Sequence, residues 1–73
     1  MADLSERLRL LRKERGLKQQ EMAERFGQSL RAYQYYEGAT PYPEVPNLLK
    51  LADFFEVSTD YLLGRSNERE MKP

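Results

Sequence analysis

The sequence predicts an all-α fold, a compact bundle of five short helices. Apolar residues recur at spacings of three and four along most of the chain, which is the repeat of a helix rather than of a strand. Glycine, proline and serine interrupt that repeat, as they do where one helix ends and the next begins. A length of 73 residues allows one domain with a small core.

The first helix is predicted from its two ends and its apolar stripe. Asp3 and Glu6 form a D-x-x-E pair, which resembles a capping box, and Gly16 stands in a position typical of a helix C-cap. The buried stripe comprises Leu4, Leu8 and Leu11, at i, i+4 and i+7. Basic residues occupy the remaining faces: Arg7, Arg9, Arg12, Lys13 and Arg15.

The second and third helices, about Gln19 to Phe26 and Leu30 to Glu37, meet at Gly27. Glycine enters the left-handed region without a Cβ penalty, which a sharp corner between helices requires, and Ser29 is a good N-cap for the third helix. The core-facing residues of these two helices are Met22, Ala23, Phe26, Tyr33 and Tyr36. This phase leaves four side chains on the outer face of the third helix: Leu30, Arg31, Gln34 and Tyr35.

The second half of the chain predicts a stiff loop and two further helices. Prolines at 41, 43 and 46 interrupt the helical pattern, and the fourth helix then runs from about Val45 to Phe55. We expect it to bury Val45, Leu48, Leu49, Ala52 and Phe55. Ser58 caps a short fifth helix, in which Leu62 and Leu63 close the core before Gly64. Tyr61 and one of these leucines are expected to stay exposed, where a second copy would dock. The domain is expected to span 1–64, with a flexible polar tail at 65–73.

Composition excludes several classes of protein. The chain has neither cysteine nor histidine, so zinc fingers, catalytic triads and histidine bases are excluded. We expect no enzyme activity, no catalytic or metal-binding residue and no cofactor. No apolar run approaches the roughly 20 residues that span a bilayer, and the N-terminal segment is charged rather than signal-like. The sequence therefore predicts a cytoplasmic protein without membrane contact.

Charge is unevenly distributed along a chain whose net charge is zero. Residues 1–31 carry a net charge of +3, whereas residues 32–64 carry −4. Such asymmetry fits a molecule with one face toward phosphates and an acidic back, although chance on a small chain remains an alternative.

The residues around Gly27, where the second and third helices meet, closely resemble a known DNA-binding motif. Their order is Gln19, Met22-Ala23, Phe26-Gly27, Ser29, Tyr33 and Tyr36-Glu37. This spacing resembles the helix-turn-helix of the phage repressor and Cro-type transcription factors, the xenobiotic response element family. The likeness extends from about Leu4 to Gly64. It implies a lambda repressor-like domain, bacterial or phage-encoded, that regulates transcription, as a repressor, by binding an inverted repeat in double-stranded DNA as a homodimer.

The resemblance and general chemistry together give candidate roles to named residues. In this family the residue matching Gln19 clamps the DNA backbone, and those matching Arg12 and Glu37 form an ion pair; two solvated charges are the alternative. A guanidinium matches guanine O6 and N7, and an amide matches adenine N6 and N7, which makes Arg31 and Gln34 candidate base readers. The remaining candidate DNA contacts are Gln28, Ser29, Leu30, Tyr35, Thr40 and Tyr42.

A second function stays open on the same fold. A protein-interaction module that has lost DNA affinity would use the exposed aromatic and apolar side chains to meet a protein: Leu30, Tyr35, Tyr42 and Tyr61. Zero net charge favours this alternative. An enzyme is a distant third hypothesis. Within the regulator class, a phage regulator, an antitoxin and a restriction-modification controller are not distinguished by these residues.

Overall fold

The computed structural model describes residues 3–38 and 43–70, and within these ranges it contains five helices and no strand. The helices are α1 (Leu4–Glu14), α2 (Gln19–Arg25), α3 (Leu30–Glu37), α4 (Val45–Phe55) and α5 (Thr59–Leu62). The prediction of an all-α five-helix fold is confirmed. None of the helices in these two ranges is both long enough and apolar enough to cross a membrane.

Side-chain caps define three of the helix starts. The carboxylate of Asp3 accepts a hydrogen bond from the Glu6 N–H at 3.1 Å, which opens α1. The hydroxyl of Ser58 accepts in the same way from the Tyr61 N–H at 3.0 Å, which opens α5. The hydroxyl of Ser29 caps α3 in the same way. Local sequence therefore determines where these helices begin.

The core lies where α1, α2 and α3 meet α4 and α5. Its buried apolar residues are Leu4, Leu8, Leu11, Met22, Ala23, Tyr33, Leu51, Ala52, Phe55, Val57, Tyr61 and Leu62. The α1 stripe is as predicted, and α3 packs against both α1 and α2. The orientation of α3 therefore depends on its packing against α1 and α2.

The buried face of α4 differs from the predicted one. Val45 is 67% exposed and Leu49 is 50% exposed, whereas Leu51, which was not assigned to the core, is buried. Phe54 explains the rotation, because its ring packs edge-to-face on Phe26 at a centroid distance of 5.7 Å. Because α4 turns Phe54 toward Phe26, the side chains of Val45 and Leu49 face solvent.

Tyr61 is buried, contrary to the prediction that it stays exposed. The Arg7 guanidinium stacks over its ring at 3.9 Å from the centroid, and that of Arg69 lies at 5.0 Å. Arg7 is itself buried and donates a hydrogen bond to Asn67 Oδ1 at 3.0 Å. Tyr61 is therefore unavailable to a second copy, and the docking patch expected there is wrong.

Residues 65–70 lie against the helices, although the sequence suggested a flexible tail from residue 65. The backbone N–H of Ser58 donates to the carbonyl of Arg69 at 2.7 Å, and the Ser58 hydroxyl donates to the carbonyl of Glu68 at 3.0 Å. The guanidinium of Arg69 donates two hydrogen bonds to the carboxylate of Glu14, at 2.8 and 2.7 Å. The packed unit thus extends beyond Gly64, and residues 71–73 lie outside the described ranges.

Truncating Leu51 tests the observed face of α4. Because its side chain is buried, Leu51→Ala is expected to lower the free energy of unfolding by about 2 to 5 kcal/mol. Leu49→Ala is the matched control on the same helix, and we expect its cost to stay below about 1 kcal/mol because half of this side chain is exposed. Urea denaturation followed by far-UV circular dichroism measures both. Equal costs would contradict the assignment.

Candidate nucleic-acid interface

A glycine corner joins α2 to α3. Gly27 has φ of +64°, in the left-handed region, and a Cβ built there meets nothing within 4 Å. Glycine is therefore required by the backbone conformation and not by lack of space. The backbone N–H of Gln28 donates to the carbonyl of Ala23 at 2.9 Å, and the Ser29 hydroxyl accepts from the Ala32 N–H at 3.1 Å. These bonds close α2 and open α3.

The two sides of α3 have opposite character. Tyr33 is fully buried, and Glu37 is 4% exposed. The opposite side is formed by Leu30, Arg31, Gln34 and Tyr35, all of which are exposed. Arg31 Nε donates to the hydroxyl of Tyr35 at 3.3 Å, one helical turn away. We call these four residues the outer face of α3.

A buried ion pair fixes α3 on α1. Arg12 Nε lies 2.7 Å from Glu37 Oε2, and Arg12 Nη2 donates to Oε1 at 3.1 Å. The side chain of Glu37 is 2% exposed and that of Arg12 is 12% exposed, so this is not a solvated surface pair. Arg12 Nη1 also donates to the carbonyl of Leu17 at 3.0 Å, which attaches the turn after α1 to the same group.

Two further donors complete the surroundings of the Glu37 carboxylate. The hydroxyl of Tyr33 donates to Oε2, and Gln19 Nε2 donates to Oε1 at 3.1 Å. Burial by itself raises the pKa of Glu37, but the hydrogen bonds from Arg12, Tyr33 and Gln19 outweigh it, so this pKa lies below its ordinary value. Burial and the bond to Glu37 raise the pKa of Tyr33, which therefore stays a protonated donor.

Arg9 holds the C-terminal end of α3. Its Nη1 donates to the backbone carbonyl of Glu37 at 2.6 Å. The last carbonyls of a helix lack partners within the helix and carry its partial negative charge, so a guanidinium there is favourable. The sequence placed Arg9 only among the basic residues outside the buried stripe of α1. Nothing in the neighbouring sequence indicates its contact with Glu37, which lies 28 residues away.

Gln19 is engaged at both ends of its amide. While its Nε2 donates to Glu37, its Oε1 accepts from Gln34 Nε2 at 3.1 Å. The side chain that the resemblance assigns to the DNA backbone thus bridges a buried carboxylate and an outer-face residue. Fifteen residues separate Gln19 from Gln34 in sequence, and no pattern in the sequence indicates their contact.

The hydroxyl of Tyr36 links the turn between α2 and α3 to α4. The sequence predicted only a core position for Tyr36. Gln28 Nε2 donates to the hydroxyl of Tyr36 at 2.7 Å, and Asn47 Nδ2 donates to the same oxygen at 3.2 Å. Gln28 Oε1 is buried and has no hydrogen-bond partner among the residues that the structure describes. The amide of Gln28 therefore lies against the domain and does not point into solvent. Thr40 and Tyr42, the two loop candidates, lie outside the described residues.

These features define a helix-turn-helix domain: two short helices at a glycine corner, the second held by a buried pair and open on its outer face. The family model described as "Helix-turn-helix domain" matches residues 5–68. The chain therefore belongs to this family of transcriptional regulators, which is not a family of enzymes. The suspected relationship to phage repressors is confirmed.

Similar proteins are found among curated sequences and solved structures. The chain is 41% identical over 66 residues to the uncharacterised HTH-type transcriptional regulator YqaE of Bacillus subtilis, covering 89% of this chain and 57% of YqaE. It is 42% identical over 62 residues to the cryptic phage CTXphi transcriptional repressor RstR of Vibrio cholerae, covering 85% and 55%.

A crystal structure of a transcriptional regulator from Listeria innocua superimposes with a TM-score of 0.81 at 33% identity, covering 96% of this chain and 65% of that one. The chain spans somewhat more than half the length of YqaE and of RstR.

Removing the Arg12 guanidinium tests the energetic weight of the buried pair. Arg12→Met leaves the Glu37 carboxylate buried without its cation, so we expect the free energy of unfolding to fall by about 3 kcal/mol. That is a large part of the roughly 4 to 10 kcal/mol expected for a domain of this size. Lys13→Met, on the exposed side of the same helix, is the control. Urea midpoints that fall equally for both would contradict the prediction.

Acid titration tests the lowered pKa of Glu37. A carboxylate with a lowered pKa in the folded state stabilises the fold above its unfolded pKa, and this contribution is lost as the pH falls through the folded value. We expect the wild type to lose stability below about pH 4.3. Glu37→Gln should show a shallower dependence, although Asp3 and Glu14, whose pKa values are also lowered, titrate in both proteins. Urea denaturation at a series of pH values measures the two slopes, and identical slopes would contradict the role given to Glu37.

Proposed function

We propose that this chain is the sequence-specific DNA-binding domain of a transcriptional repressor, with α3 as its recognition helix. The observation that carries the proposal is the outer face of α3: four exposed side chains on a helix whose opposite side is fixed by a buried ion pair. An α-helix fits the major groove of B-DNA, and the residues near its start approach the base edges.

The outer face offers three kinds of contact. The guanidinium of Arg31 is assigned to guanine O6 and N7, and the amide of Gln34 to adenine N6 and N7. Leu30 and Tyr35, which are 38% and 47% exposed, offer apolar surface to thymine methyl groups. The Tyr35 hydroxyl, together with Ser29, is assigned to phosphates; Gln28, Thr40 and Tyr42 remain weaker candidates for the same role.

Assembly and biological role are further parts of the proposal. We propose binding as a homodimer to an inverted repeat whose half-sites lie about one helical turn, roughly 34 Å, apart. The repressor role is supported by the relative from Vibrio cholerae, which is named a phage transcriptional repressor. We also propose a bacterial or phage origin, which the same relative supports, and a cytoplasmic location. The expected dimer surface at Tyr61 does not support the homodimer, because Tyr61 is buried.

A protein-interaction module remains the second candidate function, because Leu30 and Tyr35 expose apolar surface on a chain of zero net charge. Titration of random-sequence duplex DNA with salt separates the two functions. A DNA-binding domain loses affinity steeply as salt rises, because bound phosphates release counterions. Undetectable binding at low salt would favour the interaction module. Selection of sites from randomised duplexes then tests sequence preference.

Arg31→Ala is expected to lower affinity for the selected site and to relax the preference at one base position. Loss of one bidentate guanine contact corresponds to about 1 to 3 kcal/mol of discrimination. Arg65→Ala removes the same charge from an exposed side chain on α5's C-terminal side and is the matched control, which should leave the preference intact. Site selection and titration with both variants measure the effect. An unchanged site preference in Arg31→Ala would refute the assigned reading face.

A further inference from the structure

We propose that Tyr35 is a positioning residue for Arg31: its hydroxyl holds the guanidinium so that the two terminal nitrogens, Nη1 and Nη2, meet one guanine of the DNA site. This role rests on the proposed function and deepens it, because it names the edge of the guanidinium that reads the base. The Tyr35 hydroxyl touches no base in this arrangement. It acts through Arg31, whose Nε donates to it at 3.3 Å.

The bond between Arg31 and Tyr35 is a contact between residues one helical turn apart. Side chains four positions apart lie on the same side of a helix, and both of these are exposed on the outer face of α3. Within residues 3–38 and 43–70, no other hydrogen bond or ion pair engages the Arg31 side chain. The first turn of α3 carries no acidic residue. The terminal nitrogens of Arg31 therefore remain free to donate.

The engaged nitrogen decides which edge of the guanidinium is available. A guanidinium is a planar fork with two edges that present paired donors: the end, formed by Nη1 and Nη2, and the side, formed by Nε and one Nη. Either edge matches the two acceptors of guanine, O6 and N7. Because Nε of Arg31 is already bonded to Tyr35, the side edge is closed and the end edge is the one directed at the groove.

A held guanidinium also discriminates better than a mobile one. A long exposed side chain loses rotamer freedom when it binds, which lowers affinity, and a bond formed before binding reduces that loss. Adenine presents the N6 donor where guanine presents O6, so a fixed pair of donors meets adenine with one donor unmatched. The Tyr35 hydroxyl keeps its own proton while it accepts from Arg31, so it still donates to a phosphate as assigned above.

Site selection with wild type and Arg31→Ala first identifies the position that Arg31 reads. Wild type is expected to prefer guanine there and to bind about tenfold more weakly when that guanine is replaced by adenine or by 7-deazaguanine, which lacks the N7 acceptor. The ratio of affinities for duplexes that differ only at this base is the readout, because a phosphate contact common to both duplexes cancels from it. Wild-type binding that is equally strong with adenine would overturn the proposal.

Tyr35→Phe then removes the hydroxyl and keeps the ring. Its expected effect is confined to the guanine position: the penalties for adenine and 7-deazaguanine shrink severalfold, while the preferences at other positions stay. In the Arg31→Ala background, the same substitution should leave that position unchanged. Thr59→Val, which removes a hydroxyl from α5 with little change of shape, is the control and should alter neither penalty. Thermal melting verifies that each variant is folded.

The bond itself is measured on the free protein by nuclear magnetic resonance. The Nε–H of Arg31 is expected to exchange with solvent more slowly in wild type than in Tyr35→Phe. Equal exchange rates in the two proteins would overturn the positioning role without any reference to DNA.

The remaining outcomes separate this role from the proposed function. Weakening of all duplexes alike by Tyr35→Phe, with both penalties retained, is the result expected of a phosphate contact alone; it would overturn the positioning role and leave DNA binding intact. Absence of any sequence-preferring, salt-dependent binding by wild type would instead overturn the proposed function, and the positioning role with it.

Discussion

The buried carboxylate of Glu37 is where three helices meet. It accepts hydrogen bonds from Arg12 on α1, from Gln19 at the start of α2 and from Tyr33 within α3. A charge that is removed from water costs several kcal/mol unless it is fully paired and hydrogen-bonded, so any movement of α3 that breaks these bonds is costly. The position of the outer face follows from this requirement, because the same short helix carries both the carboxylate and the exposed residues.

The interior uses basic residues that a count of charges would assign to a surface. Arg7 stacks on Tyr61, Arg9 caps the end of α3 and Arg12 pairs with Glu37. The net charge of +3 over residues 1–31 therefore overstates the positive potential that this half of the chain presents to a ligand. Charge asymmetry along a sequence is informative about partners only after the side chains that serve the fold have been subtracted.

Local signals in the sequence predicted what local physics determines. Gly27 lies at a positive φ, and Ser29 and Ser58 cap the helices that follow them, because backbone strain and unpaired N–H groups involve a few neighbouring residues. The rotation of α4 and the burial of Tyr61 depend on partners far along the chain, Phe26 and Arg7, and were predicted wrongly. The outer face of α3 followed from its helical phase, whereas the contact between Gln19 and Gln34 required coordinates.

A neutral domain places a particular demand on the proposed recognition. Phosphate neutralisation supplies most of the sequence-independent affinity for DNA, and three arginines of the basic half are directed inward here. Base contacts must then supply a larger share of the binding free energy than they do in a strongly basic domain. Such contacts depend on side-chain direction, since an amide turned by half a rotation exchanges donor for acceptor. An ordered outer face, held through Glu37 and Gln19, is the kind of surface that this balance requires.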